Sequence, residues 1–198
     1  VRMGAADLRG RLGAVPFALN MSGARYAFAR SLFSLSDANV TLGGDAPSRL
    51  AIGQLDGHVT GGGASGRYAG LSGRIGAVLL QMADGNGDWS FARGVLLAHG
   101  AAHISDTQAD IRFFPLRADA ITLRFSDGRL TATSEVREPK SGASVAHVSI
   151  DHLLSSGNGH ALLDVADLSF GPRFQPEALT PTTLGVVANV QGRITGKG

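Results

Sequence analysis

Apolar and polar side chains alternate at a period of two along most of the chain, and glycine, asparagine and aspartate interrupt this alternation at short intervals. Successive residues of a β-strand point to opposite faces of a sheet, so the pattern predicts strands with one buried face. Ile121, Leu123 and Phe125 form the clearest apolar set, and Asp127-Gly128 after them predicts a tight hairpin. We therefore expect an all-β fold, an antiparallel meander of roughly ten to twelve strands.

The positions of the turn residues predict where individual strands begin and end. Phe17, Leu19 and Met21 share one strand face, and the pattern resumes at Tyr26 and Phe28 after the Ser22-Gly23 break, which predicts a hairpin. Further strands are expected at 32–43, 49–60, 130–134, 145–150, 161–170 and 185–195, and an extended pair of strands at 88–104, with turns at 43–47, 84–87, 138–142 and 157–159. Pro176 and Pro181 lie in the segment 175–183 and Pro172 lies just before it, which predicts a short helical turn or a loop there.

Glycine is unusually frequent, with 28 residues in 198, and it is concentrated in the stretch GGGASGRYAGLSGRIG from Gly61 to Gly76. Glycine in a strand permits bends, bulges and close approach of backbones. This stretch therefore predicts a strongly curved or twisted sheet. Gly61, Gly63 and Gly66 match the spacing of a dinucleotide-binding loop, but no helix pattern follows them. We therefore interpret these glycines as residues that allow the strands to bend.

The composition gives little support to enzymatic, metal-binding or nucleic-acid-binding functions. The chain contains no cysteine, and its formal charge is only +2 with two distant lysines, so nucleic acid is not an expected partner. Asp84, Asn86 and Asp88 have the spacing that begins a calcium loop, but Trp89 occupies the position that requires glycine. A hairpin turn is the preferred interpretation, and we expect no catalytic residue, no metal and no cofactor.

Histidines and aspartates elsewhere do not form a recognisable catalytic pattern. His99 and His103 would lie about 13 Å apart along a strand, too far to share a metal ion. Asp106, Asp110 and Asp119 flank different predicted strands and are expected to be solvated turn residues.

The chain begins at Val1 and contains no apolar run of 18 residues or more. We therefore expect residues 1–198 to be a single segment excised from a longer protein, with any membrane anchor outside it.

The C-terminal stretch VSIDHLLSSGNGHALLDVADLSFGPRFQPEALTPTTLGVVANVQGRITGKG, from Val148, resembles the C-terminal region of YdbH-like proteins in the AsmA and TamB superfamily. The resemblance is carried chiefly by FQPEALTPTTLGVVANVQGRITGKG and by the LDVADLSF strand before it. It implies an elongated, curved β-sheet, a β-groove or taco-like structure, whose concave face is hydrophobic. It also implies a periplasmic protein that is anchored to the inner membrane and takes part in phospholipid transport to the outer membrane.

The resemblance supplies no catalytic residues, and it implies phospholipid as one partner and an outer-membrane or periplasmic protein as another. The alternating apolar positions that we expect to line the groove are Phe17, Leu19, Met21, Ile121, Leu123, Phe125 and Leu130. A closed protein core would show the same pattern at these positions. A structural or adhesive β-solenoid module without lipid is the alternative function, since such modules are also rich in glycine.

Overall fold

The computed structural model describes residues 1–12, 15–43, 47–74 and 79–198, and nearly all of them belong to one curved, open antiparallel sheet of 14 strands. The strands are β1 (Arg2–Met3), β2 (Ala6–Leu12), β3 (Val15–Met21), β4 (Gly23–Ala27), β5 (Leu32–Leu42), β6 (Ser48–Thr60), β7 (Gly63–Arg74), β8 (Leu80–Ala92), β9 (Val95–Asp106), β10 (Leu116–Ser126), β11 (Arg129–Arg137), β12 (Ser144–Leu153), β13 (Asn158–Phe170) and β14 (Gly192–Lys197). The predicted all-β class and antiparallel arrangement are confirmed.

From β5 onward each strand pairs with the next strand of the chain, so the sheet is a meander. The N-terminal end differs, because β3 and β4 lie end to end along the same neighbour. Residues Phe17–Asn20 of β3 pair with one half of β5, and β4 pairs with the other half. The expected hairpin between these segments is therefore wrong. Ser22-Gly23 interrupts one side of the sheet without reversing the chain, and Phe28 lies in a 3₁₀ turn instead of a strand.

The turn predictions differ in their outcomes. Asp127 and Gly128 have φ angles of 52° and 76° and form the tight turn between β10 and β11, as predicted. Residues 44–46 of the expected turn at 43–47 lie outside the described residues. The turn expected at 84–87 is wrong, since Asp84 to Gly87 lie inside β8. The last predicted strand is shorter than expected and begins at Gly192.

A line of backbone irregularities crosses the middle of the sheet, and we call it the crease. It comprises Asp37, Gly70, Asp84 and Ala120, which lie in β5, β7, β8 and β10 and have φ angles of 50°, 66°, 53° and 49°. The register shifts beside Gly70, Asp84 and Ala120, whereas the pairing of β5 with β6 continues past Asp37 without a shift. Such bulges bend and twist a strand. Because these irregular positions follow one another across the sheet from β5 to β10, the sheet bends along one line.

Small side chains border the crease on the apolar side. Ala38, Ala102 and Ala118 are only 2%, 3% and 1% exposed, and Ala102 pairs directly with Ala118. The methyl groups of these alanines fit inside the bend. A larger side chain at the same positions would force the bend to open.

The described residues bury few large side chains. A cluster of Leu168, Phe170 and Phe174 lies at the C-terminal end, where Ala178 and Leu179 pack against it. The prolines place two 3₁₀ turns here, Pro176–Ala178 and Pro181–Thr183, which confirms the helical turn predicted for 175–183. Among the described residues no helix has the length and apolar character needed to cross a membrane.

Candidate functional site

Strand β9 defines the two faces of the sheet, because none of its residues adopts a left-handed conformation and its side chains alternate regularly. Leu96, Ala98, Ala102 and Ile104 point to one side together with Gly100, while His99 and His103 point to the other. Residues that pair directly across strands share a face. The register therefore assigns every neighbouring strand to the same two faces, which we call the apolar face and the polar face.

One uninterrupted row of the apolar face crosses ten strands, from β4 to β13. Its members pair in the order Tyr26, Phe33, Gly57, Gly66, Trp89, Ala98, Leu123, Ala132, Ile150 and Ala161. At roughly 4.8 Å per strand spacing the row is about 43 Å long. No member carries a charge, so the row forms a continuous apolar path along the sheet.

A second row runs parallel to the first on the other side of the crease. It consists of Leu8, Leu19, Val40, Leu50, Gly73, Met82, Ile104 and Leu116. The apolar face therefore continues across the bend, with the small buried alanines between the two rows.

Aromatic rings cover Gly57 in the first row. A methyl group placed on Gly57 would lie 2.5 Å from the Phe33 ring and 2.8 Å from the Trp89 ring, so both rings already occupy the space above this glycine. The two rings are 5.8 Å apart, and the Trp89 indole Nε1 donates to the carbonyl oxygen of Asp56 at 3.2 Å. Glycine thus creates the room in which neighbouring aromatic side chains lie flat along the apolar face.

Tyr68 pairs with Gly87 on β8, and a methyl group placed on Gly100 of β9 would lie 2.5 Å from the Tyr68 hydroxyl oxygen. Its hydroxyl donates to the carbonyl oxygen of His99 at 3.3 Å. Burial, together with the nearby negative charge of Asp88, raises the pKa of Tyr68 above its usual value. The phenol is therefore a neutral donor at physiological pH, and its ring adds apolar surface without adding charge.

The polar face carries a parallel row of hydrophilic residues. Its members are Arg25, Ser34, Asp56, Arg67, Asp88, His99, Thr122, Thr133 and Ser149. Arg67 and Asp88 form an exposed ion pair at 3.4 Å, and His99 Nδ1 lies 3.3 Å from the Thr122 hydroxyl. The sheet is therefore amphipathic, and water solvates the side opposite the apolar rows.

The seven predicted groove residues all occupy strands of this sheet, and all are half-buried. Leu123 belongs to the first row, and Ile121 and Phe125 flank it on β10. Leu130 pairs with Phe125. Phe17, Leu19 and Met21 lie on β3, where Leu19 belongs to the second row. The structure pairs the β10 and β11 residues with one another and places the β3 residues several strands away in the order of the sheet. The start of β3 nevertheless approaches the β10–β11 turn, because a methyl group placed on Gly128 would lie 3.9 Å from Val15 Cγ2.

The sequence pattern alone did not identify Phe33, Tyr68 and Trp89 as part of this face. Each of them pairs with a glycine on at least one neighbouring strand. Because glycine has no apolar side chain, the sequence lacks the apolar partner that would indicate a shared face. The usable signal is an isolated aromatic residue whose neighbouring strands contain glycine.

Asp106, at the end of β9, is a buried acidic residue. Its side chain is fully covered and accepts hydrogen bonds from the backbone N–H groups of Gln108 and Arg112 and from Arg112 Nε, the last at 2.8 Å. The hydrogen bond from the Arg112 side chain is the main reason that the pKa of Asp106 lies well below its usual value. This carboxylate fastens the loop after β9 to the end of the strand.

The other polar residues considered from the sequence are dispersed over exposed positions. Asp84 lies 3.5 Å from His103, and Asp119 pairs with Arg117 at 2.7 Å. In the described ranges no three histidine, aspartate or glutamate side chains are grouped so that they could hold a metal ion.

A family model described as intermembrane phospholipid transport protein YdbH matches residues 3–198. The chain belongs to the YdbH-like family. The match extends the similarity seen in the C-terminal quarter of the sequence to almost the whole chain. YdbH-like proteins form a lipid transport family and not a known class of enzymes, and a role between two membranes suggests a periplasmic location. Neither curated proteins nor solved structures gave a match to this YdbH-like chain.

Proposed function

We propose that the apolar face holds the acyl chains of phospholipids and guides them between the inner and outer membranes. In this proposal the chain is one segment of a bridge-like periplasmic protein, anchored to the inner membrane by a part outside residues 1–198. The observation that supports it is the ten-strand apolar row, which has partly exposed side chains on one face and a charged, hydrated face behind it.

A long, continuous apolar row suits a lipid that crosses water, because exposing its acyl chains to water costs free energy. Each CH₂ group exposed to water costs about 0.8 kcal/mol, so a chain of about sixteen carbons needs compensation on the order of 10 kcal/mol. Neighbouring strands offer an apolar side chain or a glycine about every 4.8 Å. An acyl chain can therefore shift by one strand without leaving apolar contact.

The half-exposed state of the predicted groove residues favours an accessible surface over a sealed core. Leu123 lies between Ala98 and Ala132 in its row, and the small size of these two residues leaves space beside it. Apart from the C-terminal cluster and Leu116, the buried apolar residues of the described chain are alanines and valines, so few large side chains are sealed from solvent. The lipid headgroup would remain in water while its acyl chains lie on the sheet.

Lipid extraction tests the proposal directly. We expect the protein, purified from bacteria without detergent, to carry phospholipid that mass spectrometry detects at about one molecule or more per chain, because the apolar face is otherwise hydrated. An unrelated β-sheet protein purified in parallel is the control. Phospholipid at no more than the control level would contradict lipid transport and favour a structural or adhesive module.

A further inference from the structure

The tripeptide Phe-Ala-Arg occurs twice in the chain, at residues 28–30 and 91–93. The first copy forms the 3₁₀ turn between β4 and β5, and the second ends β8 and enters the turn before β9. In a meander, the turns that follow β4, β6, β8, β10 and β12 all lie at the same end of the strands, which we call the first rim. Both copies therefore lie at the first rim, with strands β5 to β8 between them.

The phenylalanine of each copy extends the apolar face to this rim. Phe28 contacts Tyr26, a member of the first row, edge to face at 4.7 Å. Phe91 pairs with Leu96 and Ala64, one step along the strands from the row. Phe28 is 71% exposed and Phe91 is 44% exposed, so each leaves much of its ring open to an apolar ligand.

The arginine of each copy stands two residues further on, where the apolar face meets water. Arg30 and Arg93 are exposed, and neither forms an ion pair within the parts of the chain that the structure describes. Arg129 at the same rim differs, since its Nε donates to Asp151 at 2.8 Å. Two of the rim arginines therefore keep their charge uncompensated beside an exposed aromatic ring.

We propose that the two Phe-Ala-Arg turns are binding sites for the phosphate group of phospholipids, with Arg30 and Arg93 binding the phosphate and Phe28 and Phe91 contacting the adjoining acyl chains. This inference rests on the proposed lipid-carrying function. The planar guanidinium group donates paired hydrogen bonds to phosphate oxygens. The sites are three to four strand spacings apart, or about 14–19 Å, so they form two successive positions for a headgroup along the rim.

The test uses lipid capture by a photo-crosslinking residue at Leu123 in otherwise intact protein, with vesicles of phosphatidylethanolamine and phosphatidylglycerol. We expect the double variant Arg30→Gln and Arg93→Gln to reduce phospholipid capture about three- to tenfold, since charge-assisted hydrogen bonds to phosphate are lost. Diacylglycerol has no phosphate group for the arginines to bind, so its capture should change by less than about twofold. Arg124→Gln on the polar face removes the same charge and is the matched control.

The outcomes separate this inference from the function on which it rests. Equal loss of phospholipid and diacylglycerol capture, or no loss of either, would overturn the rim sites while leaving lipid binding intact. If the protein that keeps both arginines captures no phospholipid, that result would instead defeat the lipid-carrying function. Excess inorganic phosphate should leave most phospholipid capture unchanged, and complete displacement would mean that the rim selects free phosphate rather than a lipid headgroup.

Discussion

Leu123→Asp is expected to lower the amount of phospholipid bound to the purified protein at least tenfold while the sheet remains folded. The residue lies near the middle of the apolar row, where an ionised carboxylate would face the acyl chains. Placing an unpaired charge against hydrocarbon costs several kcal/mol, and about 1.4 kcal/mol already corresponds to a tenfold change in binding. Lipid extraction and mass spectrometry measure the bound amount, and circular dichroism measures the fold.

Thr122→Asp is the matched control, because it introduces the same charge at the neighbouring position on the polar face. Thr122 lies beside His99, so the added carboxylate remains in water. We expect the lipid content of this variant to equal that of the unchanged protein. Equal lipid loss in both variants would show that charge on β10 acts through stability, and no loss in either would remove Leu123 from the lipid path.

Gly66→Ala is expected to destabilise the protein by about 3 kcal/mol or more, which is in the upper range for single substitutions. An added methyl group would lie 2.6 Å from the Gly57 Cα and would also collide with the carbonyl group of Asp56. These are backbone atoms of the paired strand, so β6 and β7 would have to separate locally. Urea unfolding followed by circular dichroism measures the loss.

Gly62→Ala serves as the comparison for this substitution. Gly62 lies in the turn before β7, and an added methyl group there meets no atom within 4 Å. The free energy of unfolding should stay within about 0.5 kcal/mol of the original value, as is usual for surface substitutions. A Gly66→Ala protein as stable as the Gly62→Ala protein would contradict the close strand approach described for β6 and β7.

Alternation of side chains predicted the fold class well, because it reflects a physical property of strands that does not depend on distant contacts. The Asp127-Gly128 turn was predictable for the same reason, since both residues adopt left-handed conformations that suit a two-residue hairpin. The segment Asp84 to Gly87 has similar residues but lies within β8. A left-handed aspartate serves equally well in a turn or a bulge, and only the neighbouring strands decide between them.

The candidate site was partly predictable. Ile121, Leu123 and Phe125 are large apolar residues at alternate positions of one strand, so their shared face follows from local geometry. The contribution of Trp89 depends on Gly57 and Gly66 in two other strands, and this pairing requires the register of the sheet. The crease was indicated only as general curvature, because the alignment of Asp37, Gly70 and Ala120 across strands is a property of the assembled meander.

A photo-crosslinking scan through residues 121–125 of β10 tests the central claim most directly, namely that lipid contacts one face of this sheet. Positions 121, 123 and 125 point to the apolar face, and positions 122 and 124 point to the polar face. We predict phospholipid adducts that alternate along the strand, strong at the three apolar positions and at background level at the two polar ones. Equal capture at all five positions, or no capture at the apolar three, would contradict the account.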